Sequence, residues 1–266
     1  MTPTIDERFL LDDDQMLHFI VQGYHLVETD FPPEFHADLC ERIERVFAEE
    51  GNPGNAIYEK IAPLAEVYQH PAVVGALTSI LGADYRMEGH RHCHRTTPGS
   101  RRQGWHQDSV NKRHGRILRL LAMYYPQDVT PAMGPTTIVP GTQYRNAPTA
   151  RLATYGNFKS QLPLVVKAGA VAITHYDIWH AAMANESDRP RLMLKFLFTR
   201  ESEPREPSWR ADPSQRETMR PKFVGNWLPI DNQSDAYKHR VIWMDVWRWL
   251  NGEEIVAPSS MIKHYP

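Results

Sequence analysis

The chain is poor in cysteine: Cys40 and Cys93 are its only two in 266 residues, which excludes a disulfide framework. It also lacks a charge excess. Thirty Lys and Arg stand against 32 Asp and Glu, for a formal net charge of −2, so no field favours nucleic acid or an anionic membrane surface. No run approaches the ~20 apolar residues of a membrane-spanning helix. The start, MTPTIDERFLLDDD, is acidic and has no apolar core, so it does not read as a secretory signal. Internal repeats and low-complexity segments are missing as well. These absences point to a soluble, cytoplasmic protein of a reducing compartment, with a small molecule rather than nucleic acid or membrane as its partner. They leave the oligomeric state open. The sequons at Asn185 and Asn232 then read as chance, since glycosylation needs a secretory route.

What is present suits one large domain, able to bury roughly three quarters of the surface its unfolded form exposes. Residues 1–84 read as helical. DDDQMLHFIVQG opens on acidic N-cap residues and closes on Gly23, and PPEFHADLCERIERVFAEEG carries Phe35, Leu39, Ile43 and Phe47 at helical spacing and closes on Gly51. IYEKIAPLAEVYQ and PAVVGALTSILG follow, the second from Pro71 to Gly82. From residue 85 to 200 the texture changes to short runs rich in β-branched and aromatic residues: YRMEGHRHCH, RILRLLAMYY, TTIVP, LPLVVKAGAVAITHYD and RLMLKFLFTR, separated by Gly, Pro and Asn. Many short strands after a helical start predict a mainly β fold, a sandwich or jelly roll with flanking helices. Residues 201–222 read as a long polar loop, a candidate lid. The remainder to 266 holds an amphipathic helix with Ile242, Val246 and Trp249 as its apolar stripe, its tryptophans packing on the sandwich.

Among histidine–carboxylate pairs, geometry selects one. Side chains at i and i+2 share a face on an extended chain but lie about 200° apart on a helix. His36 and Asp38 fall inside a helix and cannot share an ion. His106 and Asp108, in GWHQDS, fall among strands and turns and can. ITHYDIWHAAMAN offers a further ligand from His175, Asp177 and His180, with His180 preceding two small alanines. Two histidines and one carboxylate with three open positions form the facial set of non-haem iron(II) oxygenases, whereas zinc hydrolases with similar ligands keep a single open position. Eleven residues after His180, Arg191 heads the next strand. A guanidinium inside a barrel needs an anion and grips a carboxylate with two prongs, which makes a dicarboxylate cosubstrate a natural partner. Arg189, before Pro190, is expected to face solvent.

These motifs resemble the phytanoyl-CoA dioxygenase-like family of iron(II)- and 2-oxoglutarate-dependent oxygenases. The resemblance runs over about residues 85–200, from HRHCHRTTPGSRRQGWHQDS through YYPQDVTPAMGPTTIVPGTQY to THYDIWHAAMANESDRPRLMLKFLFTR. It implies a double-stranded β-helix, with His106, Asp108 and His180 on Fe(II), Arg191 on the far carboxylate of 2-oxoglutarate, and O₂ as co-reactant. It gives Gln107 a part in positioning the cosubstrate, though strand geometry turns its side chain away from the ligand pair. Tyr125 joins them as a cosubstrate contact. Two positions depart from the pattern: Ala182 replaces a hydroxyl residue and Met123 a tryptophan found in some relatives. The presence of Asp108 separates the chain from relatives that halogenate, and implies hydroxylation, or desaturation or ring chemistry.

Trp105, His94, Trp179 and Trp209 are candidate substrate contacts, with Trp227 behind them. His90, His92 and His94 alternate on one strand face, and can line that pocket or hold a second metal. Arg95, Arg101, Arg102, Arg116 and Arg119 read as a solvated face balanced by acids, or as a reception for an acidic substrate. Two other functions fit part of the pattern: a cupin-like metalloenzyme without a cosubstrate, and a binding module that has lost catalysis.

Overall fold

Each long helix begins and ends on residues whose chemistry nominates them. Asp12 caps helix α1 (Asp13–Gln22) by accepting from the Gln15 amide, while the Gln15 side chain accepts from the Asp12 amide, so two open donors are met reciprocally. The helix stops at Gly23, whose φ of 80° is left-handed. Helix α2 (Pro33–Glu50) runs from a proline to Gly51, and after the short α3 (Ile57–Lys60) and α4 (Leu64–Gln69), helix α5 (Pro71–Leu81) runs from a proline to Gly82. The computed structural model describes residues 5–108, 115–145, 147 and 149–253.

One element corrects the reading of residues 1–84 as helical. Strand β1 (Tyr24–Glu28) follows Gly23 directly and pairs antiparallel with a core strand, Val27 opposite Val171. Its five residues bury a single side chain, Val27, so the alternation that betrays a strand is too brief to read. A line drawn at residue 84 therefore cuts through one sheet.

The core strands are β2 (Arg86–Thr96), β3 (Arg119–Tyr124), β4 (Thr136–Val139), β5 (Leu162–Pro163), β6 (Ala170–His175), β7 (Trp179–Ala182) and β8 (Arg191–Thr199), with the short helix α6 (Thr149–Leu152) before β5. They form a five-stranded sheet in the order β1-β6-β3-β8-β2 and a three-stranded sheet β5-β4-β7, all paired antiparallel. This is the expected jelly roll with flanking helices. Alternation divides its core in two. Ala122, Tyr124, Leu194, Phe196 and Phe198 pack outward against helix residues such as Leu39, Ile43, Val67 and Leu77, with the Tyr68 ring stacked on Phe196 at 4.2 Å. Met123, Tyr125, Ala172 and Met193 face inward, onto Ile138, Leu164 and Ile178.

The segment 201–222 is tied as a strap to the helical part of the chain. The Arg210 amide donates to the Leu11 carbonyl, the Asp212 amide to Asp13 Oδ2 and the Ser208 hydroxyl to the Ser79 carbonyl. Its end is already helical, leading into α7 (Met219–Gly225). Trp209, read as a substrate contact, is buried in this strap. Its indole N–H donates to Asp13 Oδ1 at 2.7 Å and its ring meets Trp247 at 5.2 Å. Trp227 is half exposed. Helix α8 (Gln233–Leu250) buries Trp243, Val246, Trp247, Trp249 and Leu250, with Ile242 only partly covered. Its buried face is broader than the predicted stripe because the strap and α7 cover a second side: Trp247 also meets Phe223 at 5.7 Å. Replacing Trp209 by alanine is expected to cost about 3–5 kcal/mol of folding stability and to leave turnover per folded molecule unchanged. A denaturant melt alongside an activity assay reads both, and lost turnover in a folded variant would return Trp209 to the site. Among the described residues, no helix is long and apolar enough to cross a membrane.

Candidate metal centre

The segment around His106 lies beside β7. His106 and His180 exchange both backbone hydrogen bonds, each at 3.0 Å, so their side chains leave the same face, with ring centroids 4.2 Å apart. Asp108, two residues on, projects to that side too. Its Oδ1 lies 3.5 Å from His106 Nε2 and 3.7 Å from His180 Nε2. One ligand atom from each of the three falls within 4.8 Å of the others, and this is the only group of its kind among the described residues. His175 and Asp177 stay outside it, and the His90, His92 and His94 stripe does not form a second such group. His36 and Asp38 part as helix geometry requires: the His36 ring bonds the Tyr124 hydroxyl at 2.6 Å and Asp38 pairs with Arg42.

The protonation pattern suits a metal. Nδ1 of His106 lies 2.9 Å from the Gly104 carbonyl and Nδ1 of His180 lies 3.0 Å from the Ile178 carbonyl. A carbonyl only accepts, so each Nδ1 carries a hydrogen and each Nε2 is the nitrogen that faces Asp108. Burial pulls the His180 pKa down to about 4, keeping the ring neutral. Burial would push Asp108 up, but His180, Lys195 and His106 outweigh it and bring it down to about 2. Neutral imidazoles and a carboxylate are the states that bind divalent ions. His180 Nε2 is buried without a hydrogen-bond partner, the kind of orphan that a metal ion satisfies. The donor set therefore fits a divalent ion that keeps three further positions open.

Arg191 lies at the start of β8, 1% exposed. Nη1 donates to the Thr136 hydroxyl at 3.2 Å and Nη2 to the Thr96 hydroxyl at 2.7 Å, while Nε has no partner. No carboxylate pairs with it among the described residues, and burial holds its pKa below the ordinary guanidinium value. Tyr125, fully buried, is within electrostatic reach of it. A buried cation with only hydroxyl partners among the described residues is chemically suited to an anion such as a carboxylate. Arg189 is exposed, as expected.

The inward face of β2 and β8 carries a residue the sequence reading missed. Lys195, 6% exposed, stands opposite His92 and Met123, and its Nζ lies 2.8 Å from Asp108 Oδ2. Its signal was there: residues i and i+4 share a strand face, so Lys195 had to look the way Arg191 looks. His94 lies on this face, opposite Met193. Burial, then the charges of Lys195 and Arg191, pull its pKa to about 3.

Three other candidates have hydrogen bonds or ring packing of their own. Gln107 turns away from the ligand pair, as strand geometry predicted. Its amide nitrogen donates to the carbonyls of Arg145 and Asp177 and so braces two loops, while its Oε1 is buried without a hydrogen-bond partner. Trp105 is fully buried, donates to the Gly156 carbonyl and meets the Phe158 ring edge-on at 5.1 Å. It packs beside His106, with its indole N–H already satisfied. Trp179 packs on Phe158 at 5.4 Å, though its indole N–H is buried without a partner. The arginine cluster resolves in part as a balanced face, with Arg95 on Glu44 and Arg116 on Glu203. The Asn185 side chain is buried and donates to the carbonyls of Thr96 and Arg189, which rules out a sugar there. Gly134 has a φ of 68°, and a Cβ on it would meet the Met183 carbonyl at 2.5 Å. It permits the close approach of the turn before β4 to the end of β7, the strand of His180.

The family model for phytanoyl-CoA dioxygenase matches residues 19–193. No curated protein sequence matches the chain significantly. Solved structures share its fold at low identity. The non-heme alpha-ketoglutarate-dependent carbocyclase SnoK from nogalamycin biosynthesis is 18% identical, covers 82% of this chain and 93% of its own, and has a TM-score of 0.61. The epimerase SnoN from the same biosynthesis, solved with Fe3+, alpha-ketoglutarate and nogalamycin RO, is 17% identical over 70% of this chain and 82% of its own, with a TM-score of 0.59. HygX from Streptomyces hygroscopicus, with nickel, 2-oxoglutarate and hygromycin B bound, is 17% identical over 75% of this chain and 90% of its own, with a TM-score of 0.57.

Proposed function

The chain belongs to the phytanoyl-CoA dioxygenase family, and we propose on that premise that it is an Fe(II)- and 2-oxoglutarate-dependent dioxygenase of a small molecule. His106, Asp108 and His180 hold the iron, and Arg191, with Tyr125 beside it, receives the far carboxylate of 2-oxoglutarate. With O₂, this centre supplies oxidation of an unactivated C–H bond, the cosubstrate leaving as succinate and CO₂. The observation that carries the reading is the pairing of a converging His–Asp–His set with a buried arginine that has no acidic partner among the described residues.

The chain's own residues do the positioning. Gly104 and Ile178 carbonyls fix the two imidazole tautomers, and Thr96 and Thr136 aim the Arg191 fork. The inward apolar residues Met123, Met193 and Ile138 keep water from that end of the barrel. His94 and the free indole N–H of Trp179 are the remaining candidate substrate contacts. Hydroxylation is the simplest outcome. Ring formation or epimerisation by the same centre is the second reading, favoured by the names of the carbocyclase and epimerase that share the fold. The hygromycin B bound to HygX and the nogalamycin RO bound to the epimerase make a ring-rich natural product a natural class to screen. A metalloenzyme without a cosubstrate leaves the unpaired Arg191 unexplained, and a silent binding module leaves the intact ligand set unexplained.

The test is succinate release from 2-oxoglutarate under iron, ascorbate and O₂, with and without a substrate panel. Iron-dependent succinate, increased by one member of the panel, is expected. Metal binding with no succinate under any of these conditions would count for the binding module.

A further inference from the structure

The two oxygens of Asp108 face different partners. Oδ1 is turned to both imidazole Nε2 atoms, at 3.5 and 3.7 Å, while Oδ2 accepts from Lys195 Nζ at 2.8 Å. Lys195 is thus not a stand-in for the ion. Its Nζ hydrogen-bonds Asp108 Oδ2, and His180 Nε2 has no hydrogen-bond partner. The ammonium thus engages the carboxylate oxygen other than the one nearest the two imidazoles.

We propose that Lys195 is a positioning residue that keeps Asp108 a one-oxygen ligand, and so preserves three open positions on the metal. The inference rests on the ligand assignment above. A carboxylate beside a dication takes it with one oxygen or two, and three open positions are what two-pronged 2-oxoglutarate plus O₂ require. If Oδ2 also bound, one of those positions would be lost. Lys195 is suited to prevent this. It is buried, it sits on the same rigid strand as Arg191, and its cross-strand neighbours His92 and Met123 fix where its stem runs. As a cation it also repels the ion, so it gives the ion no reason to settle on the Oδ2 side.

The test compares the wild-type chain with Lys195→Met and Lys195→Arg, each loaded with Zn(II) and labelled with ¹³C on the aspartate carboxylates. Infrared difference spectra between metal-loaded and metal-free protein report how Asp108 binds. The gap between the asymmetric and symmetric carboxylate stretches is wide for one-oxygen binding and narrow for two. The wild type and Lys195→Arg are expected to show the wide gap and Lys195→Met the narrow one. Lys195→Met should also bind 2-oxoglutarate about ten-fold more weakly in the metal-loaded state. A wide gap in Lys195→Met would overturn the proposal even if 2-oxoglutarate binding fell, because loss of charge alone would then explain the weakening. A narrow gap in the wild type would overturn it without any variant, so a Lys195→Met chain that failed to fold would not protect it. No metal-dependent change at Asp108 in the wild type would instead remove the ligand assignment itself.

Discussion

Asp108→Ala is expected to abolish iron-dependent succinate formation, by well more than the ~10–100-fold that loss of an outer-shell partner costs. The carboxylate is the only anionic member of the donor set, and its Oδ1 is the atom that both imidazoles face. Without it, two neutral rings remain to hold a dication, with the Lys195 ammonium now unopposed nearby. Folding is a separate matter and must be read separately. Lys195 loses its buried acid in this variant, and breaking a buried pair from one side typically costs about 3–5 kcal/mol. A thermal melt and an iron titration on the folded fraction keep the two effects apart. Wild-type succinate formation in folded Asp108→Ala would remove Asp108 from the metal.

Arg191→Leu is expected to act on the cosubstrate and not on the ion. Losing a two-pronged, charge-assisted grip on a carboxylate costs about 3 kcal/mol, or roughly 100-fold in affinity, so the KM for 2-oxoglutarate should rise by about that factor while iron affinity barely changes. The stability effect should run the other way from Asp108→Ala. Arg191 is a cation buried to 1% exposure with only two threonine hydroxyls for company, so the apo protein bears a desolvation cost that leucine does not. A melting temperature unchanged or raised, together with the large KM change, is the expected signature. Arg191→Lys should not restore affinity, because an ammonium lacks the planar fork. Equal losses of iron and 2-oxoglutarate binding in Arg191→Leu would make the residue structural.

The sequence carried the metal set more legibly than the fold around it. His106 and Asp108 were readable because an i, i+2 pair is informative once the chain is extended, and the same rule discarded His36 and Asp38. Helix ends were readable for a similarly local reason: Asp12, Gly23, Gly51 and Gly82 each solve a backbone problem within a few residues. Strand β1 was not readable, since its pairing depends on β6, about 145 residues away, and its own five residues carry almost no pattern. For Trp105 and Trp209 the sequence could not show that each has an acceptor for its N–H inside the core, Gly156 and Asp13, because those partners lie about 50 and 200 residues away. Lys195 was legible and unread. Its spacing from Arg191 put it on the inner face, but a lysine invites the assumption of solvent, and only the position of Asp108 across the barrel explains its burial.

The most direct measurement is an anaerobic titration of the purified chain with Fe(II) and 2-oxoglutarate, followed by visible absorption and by equilibrium binding, on the wild type and on His180→Ala. Convergence of His106, Asp108 and His180 on one ion beside Arg191 predicts one iron and one 2-oxoglutarate per chain. It also predicts a visible band that needs both together, and loss of both the band and tight iron binding in His180→Ala. Iron bound with undiminished affinity by His180→Ala, or 2-oxoglutarate binding that does not respond to iron at all, would contradict it.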